Sequence, residues 1–284
     1  MPVQGDRIGQ IYGRQFRIDA LIGKGAMAEV YRALDLATAT HVALKVLKQH
    51  LDDLDPAAHQ RFLREAEVQA VLRHRNIAAL LATGTTPDNQ PYLVAELLRG
   101  RSLRAVLKSE GRLDPRRAVS YAFQALQGLA AVHAAGVLHR DLKPANIMLE
   151  PAATGMVDRV VLIDFGFATF EGSAKLTAIG AIVGSLSYIA PERLRGEDLD
   201  LRSDLYSIGI ILYEMLMGVP PFQGDDDFEL VELQMDAAAP ALDPDLPPGL
   251  DAVIQRALQK QQAARFASAD EMAAALEHAA LQLR

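Results

Sequence analysis

Cysteine is absent from the 284 residues. That excludes disulfides and thiolate–zinc centres, and a reducing, cytoplasmic location is the simplest expectation. Long apolar runs are missing too. None approaches the ~20 residues that a membrane helix needs. The best candidate, Ile208 to Met217, is short and carries Glu214, so a buried core helix is expected there. The opening MPVQGDRIGQ lacks the apolar region of a secretory signal. Positive charge is not in excess: 36 acids face 29 bases, for a net charge of −7. This speaks against nucleic acid as a main partner, because such proteins need basic surface to neutralise phosphates. Repeats and low-complexity tracts are also lacking. What remains is globular composition, 50% hydrophobic and 23% charged. The length permits one large domain or two lobes sharing a cleft.

The first third reads as strands. Tyr12 to Ile22 alternates loosely, then a glycine-containing turn leads to Glu29 to Ala33. The run His41 to Leu47 is short, apolar and bounded by polar residues, which predicts a strand. Asp55-Pro56 opens a helix whose buried side would carry Phe62, Ala66 and Leu72. Pro-Asp-Asn within Thr85 to Pro91 marks a turn before the strand Tyr92 to Leu97. After Gly100 the pattern becomes helical. Asp114-Pro115 starts a helix with Val119, Ala122, Leu126 and Leu129 at helical spacing. A hairpin-like pair, Ile147 to Leu149 and Val160 to Ile163, follows. A helix from about Ser203 to Met217 ends at Gly218 and Pro220-Pro221. Ser268-Ala-Asp-Glu271 is a capping box for the last helix. The expected layout is a small β-rich lobe, then a larger helical lobe, meeting near Glu96 to Gly100.

Three segments carry chemistry. In Gly23-Lys-Gly25-Ala-Met-Ala28-Glu-Val30, small residues let backbone amides approach triphosphate oxygens. The stretch is not a Walker A loop, which needs Gly-Lys-Ser/Thr opening a helix. Val42-Ala43-Leu44-Lys45 puts a lysine in an apolar strand, where an ammonium requires an anionic partner. Glu65 of Arg64-Glu65-Ala66 is the candidate. The third segment is the most specific: His139-Arg140-Asp141-Leu142-Lys143-Pro144-Ala145-Asn146, followed by Asp164-Phe165-Gly166. Phosphoryl transfer to a hydroxyl needs a carboxylate to orient that hydroxyl, oxygen ligands for magnesium, and cations on the phosphoryl oxygens. Asp141, Asn146, Asp164 and Lys143 supply such a set.

Together these motifs resemble the protein-kinase signature, with the bacterial eukaryotic-like Ser/Thr protein kinases as the nearest flavour. The resemblance runs from about Tyr12 to Ala279. It implies an α+β, bilobal protein-kinase fold. The expected division is a tail (1–11), a small lobe (12–95), a hinge (96–99), a large lobe (100–279) and a short end (280–284). It implies that Asp141 is the base, that Lys143 neutralises the transferring phosphoryl, and that Asn146 and Asp164 hold Mg²⁺, with Mn²⁺ as a substitute. Lys45 would bind the α/β-phosphates of ATP and pair with Glu65. The glycine-containing stretch Ile22, Gly23, Lys24, Gly25, Ala26, Met27, Ala28, Glu29 would cover the nucleotide. Leu21, Val30, Ala43 and Met148 would sandwich adenine, and the main chain of Glu96 and Leu98 would bond its edge. Asp204 would brace the catalytic-loop backbone, and Arg265 would pair with Glu192 of Ala190-Pro191-Glu192.

Lys143, two residues after Asp141, and Ser185 favour Ser/Thr over Tyr as the accepting residue. Thr177 is the candidate for activation-loop autophosphorylation, with Arg140 as the phosphate's partner. The implied partners are protein substrates bearing Ser/Thr, and a homodimer through the small lobe is compatible with the family. Some positions depart from the family pattern. Gln69 stands where an apolar residue usually links the lobes, and it could bond to a backbone group. Pro151 to Gly155 lengthens a hairpin loop. Ala95 occupies the gatekeeper position and implies an open pocket behind adenine. The alternatives are a pseudokinase and a kinase of small-molecule hydroxyls. Loss of Lys45, Asp141 or Asp164 would have marked the first. The Ala-Pro-Glu platform speaks against the second.

Overall fold

A computed structural model describes residues 7–25, 27–48, 58–152, 157–164 and 186–283. Contacts divide the chain into two compact units: Met1–His74 with Ala78–Leu98, and Arg75–Ile77 with Arg99–Arg284.

Among the described residues, the first unit is an antiparallel sheet with one long helix. Its strands are β1 (Ile11–Tyr12), β2 (Phe16–Lys24), β3 (Ala28–Asp35), β4 (Thr40–Leu47), β5 (Leu80–Thr85) and β6 (Pro91–Glu96), in the order β1-β2-β3-β4-β6-β5. The apolar run of β4 is explained by its central place. Val42, Leu44 and Val46 face one cluster with Tyr12, Phe16, Tyr31 and Tyr92. Leu47 faces another with Leu80, Leu93, Phe62 and Ala66. Phe62 and Ala66 come from helix α1 (Ala58–Val71). The expected helix start at Asp55-Pro56 lies outside the described residues. Gly84 is needed for close approach. A Cβ there would sit 2.3 Å from the Tyr92 hydroxyl, and Tyr92 stacks on Tyr12 at 5.7 Å.

The second unit is mostly helical. Among the described residues, a small sheet, β7 (Arg101–Ser102), β8 (Ile147–Glu150) and β9 (Arg159–Leu162), accompanies seven α-helices. They are α2 (Leu103–Glu110), α3 (Pro115–Ala134), α4 (Pro191–Arg195), α5 (Leu201–Met217), α6 (Asp227–Asp236), α7 (Pro248–Ala257) and α8 (Ala269–Ala280). Every residue of α5 from Asp204 to Leu216 is buried, so it is a helix enclosed by its own unit. Asp200 caps its start by accepting from the Arg202 N–H, and left-handed Gly218 ends it. Asp114 caps α3 with Pro115 at its first position, as the sequence predicts. The predicted capping box of α8 closes differently. Ser268 accepts from the Glu271 N–H at 3.1 Å, but Glu271 reaches back to the Ala267 N–H at 2.6 Å. Among the described residues, no helix is long and apolar enough to cross a membrane.

Candidate active site

The loop after α3 gathers the chemistry. Arg140 adopts φ 64°, a conformation disfavoured for a residue with a Cβ and held only when its surroundings fix it. Asp204 of α5 supplies that hold. Its carboxylate accepts the His139 N–H at 2.8 Å and the Arg140 N–H at 2.9 Å, and His133 Nε2 lies at 2.9 Å. Burial pushes the Asp204 acid up. His133, the charge of His139 and the Arg140 N–H outweigh it and hold the carboxyl below its ordinary range. Burial depresses the His139 imidazole despite Asp204, Asp141 and Asp164 nearby.

Asp141 then faces two donors. Lys143 Nζ lies 3.0 and 2.8 Å from its two oxygens. Asn146 Nδ2 donates to its backbone carbonyl and to Oδ2, both at 2.8 Å. Bonding through Nδ2 leaves the Asn146 amide oxygen as the atom available to a cation. The Ile163 N–H donates to the Asn146 carbonyl at 3.0 Å, which puts Asp164 one residue beyond Asn146's backbone partner. Asp164 also has a positive φ, 54°. An amide oxygen and a carboxylate suit a hard divalent ion that completes its shell with water and phosphate oxygens. Among the described residues no group of three His, Cys, Asp or Glu is placed to hold a metal ion. Met148 lies in β8, half-buried.

The first unit holds the remaining predicted residues. In the hairpin of β2 and β3, Gly23 pairs with Val30 and Lys24 with Glu29. Gly25 N–H bonds the Ala28 carbonyl at 2.9 Å. Ala26 is outside the described residues. Ile22 is exposed, and Ala28 and Met27 pack with Leu47 and Phe62. Lys45 sits opposite Val30 and Leu93, its Nζ 5.9 Å from the Phe62 ring centroid. Glu65 belongs to α1, but its side chain is outside the described part. Ala43 pairs with Ala95, and Ala95 with Leu80. Leu21 and Glu96 are half-buried, and so is Leu98. The Glu96 N–H bonds the Ala79 carbonyl at 3.0 Å. Gln69 is buried and donates to the Ala78 carbonyl at 2.9 Å.

A platform follows at Ala190-Pro191-Glu192. Arg265 grips Glu192 through two bonds of 2.8 and 2.7 Å, both side chains fully enclosed. Burial raises the Glu192 acid, but the bonds from Arg265 and Ser203 win and hold it below its ordinary range. The Tyr188 hydroxyl donates to Glu214 at 2.7 Å. Phe165, Gly166, Thr177 and Ser185 lie outside the described residues.

A family model described as the protein kinase domain matches residues 16–279. The chain belongs to the protein kinase family. Members of this family use ATP and a divalent metal ion. The kinase domain is 39% identical over 273 residues to a probable serine/threonine-protein kinase of Streptomyces coelicolor, covering 93% of this chain and 40% of the relative. It is 38% identical over 274 residues to serine/threonine-protein kinase PknA of Mycobacterium tuberculosis, covering 95% and 62%. A serine/threonine-protein kinase of Myxococcus xanthus is 37% identical over 286 residues, covering 97% and 52%. The kinase domain therefore spans between 40% and 62% of the length of these relatives.

Sequence reasoning missed two contacts of this kinase domain. Lys48 Nζ donates to the Gly25 carbonyl at 2.6 Å and ties down the glycine turn. Arg193 donates to the Arg140 carbonyl. Burial lowers the Arg193 guanidinium, and Asp141 partly offsets this. Lys48 follows the last residue of β4 and had no signal in the sequence. Arg193 had no local signal, because its partner lies 53 residues away.

Proposed function

We propose that this chain transfers the γ-phosphoryl group of ATP to Ser/Thr hydroxyls of proteins, in a reaction dependent on Mg²⁺. The observation that carries the reading is Asp141, held on a braced loop between Lys143 and Asn146. A carboxylate so fixed orients an incoming hydroxyl and takes its proton as the oxygen bonds to phosphorus and ADP leaves. Lys143 faces the developing charge on the phosphoryl oxygens. Asn146 and Asp164 would hold the divalent ion, which when bound neutralises phosphate charge. Lys45 would bind the α/β-phosphates and pair with Glu65, with the Ile22 to Val30 stretch over the nucleotide. Leu21, Val30, Ala43 and Met148 would contact adenine, with the main chain of Glu96 and Leu98 along its edge. Fixed position and electrostatics, rather than covalent chemistry, supply the rate.

The names of the bacterial relatives support Ser/Thr as the accepting residues. The Glu192–Arg265 platform supports a protein rather than a metabolite as acceptor. Gln69, which departs from the family pattern, has a backbone partner for its amide. Thr177 is proposed as the autophosphorylation site, with Arg140 receiving the phosphate.

The test is transfer from labelled ATP with Mg²⁺, wild type against Asp141→Asn, followed by mass mapping. Label on Ser/Thr that disappears in D141N supports the reading. No label despite ATP binding overturns it. Active enzyme with unmodified Thr177 removes the autophosphorylation assignment alone.

A further inference from the structure

Of the ten residues of α6, only Gln234 is buried. Leu230 and Leu233 lean on the core of the unit. Phe228, Val231 and Met235 recur at i, i+3 and i+7, a spacing that lines them along one helix face. Phe228 is 73% exposed, and the other two are half-buried. An exposed aromatic within an apolar stripe marks a binding surface more often than a scattered leucine does.

The chemistry around the stripe has one sign. Asp225, Asp227 and Glu232 are exposed. Asp226 caps the helix by accepting the Glu229 N–H at 2.8 Å. The sequence has no Lys, Arg or His between Arg202 and Arg256. Among the described residues, the cations bonded to the helix meet its far end. Arg195 donates to the Met235 carbonyl at 2.8 Å and lies 3.6 Å from Asp236. Lys260 Nζ donates to the Gln234 carbonyl at 2.7 Å. The first turns, around Phe228, keep their negative field.

We propose that this face docks a cationic protein segment, with lysine or arginine flanking an apolar side chain. That the segment belongs to a substrate rests on the kinase reading above. A second copy of the chain fits worse. A two-fold contact would set this acidic patch against its own copy, in a chain of net charge −7. The helix is also fastened to the platform. Gln234 Nε2 donates to the Ser187 and Leu186 carbonyls at 2.5 and 3.4 Å, and the Tyr206 hydroxyl donates to Gln234 Oε1 at 2.5 Å. An occupant of the stripe is therefore held at a fixed offset from the segment leading into Tyr188 and Pro191.

The test uses a fluorescent synthetic peptide, Lys/Arg-rich around a leucine, in an anisotropy titration. Wild type should bind it, more weakly as salt rises. Phe228→Ala should weaken binding about tenfold, and Asp227→Lys with Glu232→Lys should abolish it. These side chains are exposed, so the variants should melt as wild type does. In the transfer assay, appending the cationic segment to an acceptor peptide should lower KM. The variants should lose that gain yet match wild type on the bare acceptor. Equal anisotropy binding by wild type and variants overturns the proposal. So does a wild-type dimer, by light scattering, that Phe228→Ala dissolves. Failure of the kinase reading would appear separately, as no transfer to the bare acceptor.

Discussion

Asp204→Asn isolates one side chain that touches no substrate. The native carboxylate is 3% exposed and accepts two backbone N–H groups, one on each oxygen. Asparagine keeps one oxygen and turns an NH₂ toward the other donor. A hydrogen bond to a charged acceptor contributes roughly 1.5–3 kcal/mol, and a buried unsatisfied N–H costs roughly 1–3 kcal/mol. Losing one such contact gives about 3 kcal/mol, or a Tm fall of about 6–12 °C at this size. The effect on rate should be separate. Without the bond to its N–H, Arg140 is free to leave φ 64°, and Asp141 moves with it. A shift of about 1 Å at a reacting group lowers kcat by roughly 10², while KM for ATP should hold. The assay is steady-state transfer well below the variant's Tm, beside a melting curve. If kcat falls only in proportion to the unfolded fraction, Asp204 is a stability residue and the bracing argument fails.

Breaking the enclosed Glu192–Arg265 pair with Glu192→Gln should cost about 3–5 kcal/mol, read as a lower urea midpoint. Because the folded-state acid lies below its ordinary range, its contribution is present above about pH 4.3 and is lost as pH falls through the depressed folded value. Melting curves from pH 6 to pH 3 should therefore be flatter in E192Q, and equal slopes would count against the assignment. Gln69→Leu leaves the Ala78 carbonyl without its donor and should cost about 1–2 kcal/mol. A variant as stable as wild type would show that the bond contributes nothing net. Ala95→Met fills the row shared with Ala43 and Leu80. Adenine analogues with bulky substituents should bind it about tenfold or more weakly, and unchanged competition against ATP would remove the open-pocket idea.

Elements with strong local signals were legible. The apolar run of β4, broken only by Lys45, marks a strand, and Asp114-Pro115 announces α3. The helix α5 begins at Leu201 rather than near Ser203, because Asp200 is its cap. The helices α2, α4, α6 and α7 were not read from the sequence. In α6 the reason is physical: with only Gln234 buried, the helix is defined by side-chain bonds to distant backbone, not by a buried stripe. The catalytic constellation was legible as a motif because its members are close in sequence. Its supports were less so. Asp204 and Arg265 came only through the family resemblance, and Lys48 and Arg193 not at all. Each acts on a partner that spacing along the chain does not reveal.

The enclosed helix α5 also carries several anchors in a fixed phase. Asp204 holds the catalytic loop, Ser207 Oγ donates to the Tyr188 carbonyl, and Glu214 receives the Tyr188 hydroxyl. A helix advances about 1.5 Å and turns about 100° per residue. A single-residue insertion after Ser207 would therefore rotate Glu214 away from Tyr188 while leaving Asp204 in place. Length changes in this gene's descendants should accumulate in segments such as the β8–β9 connection, and almost never within α5.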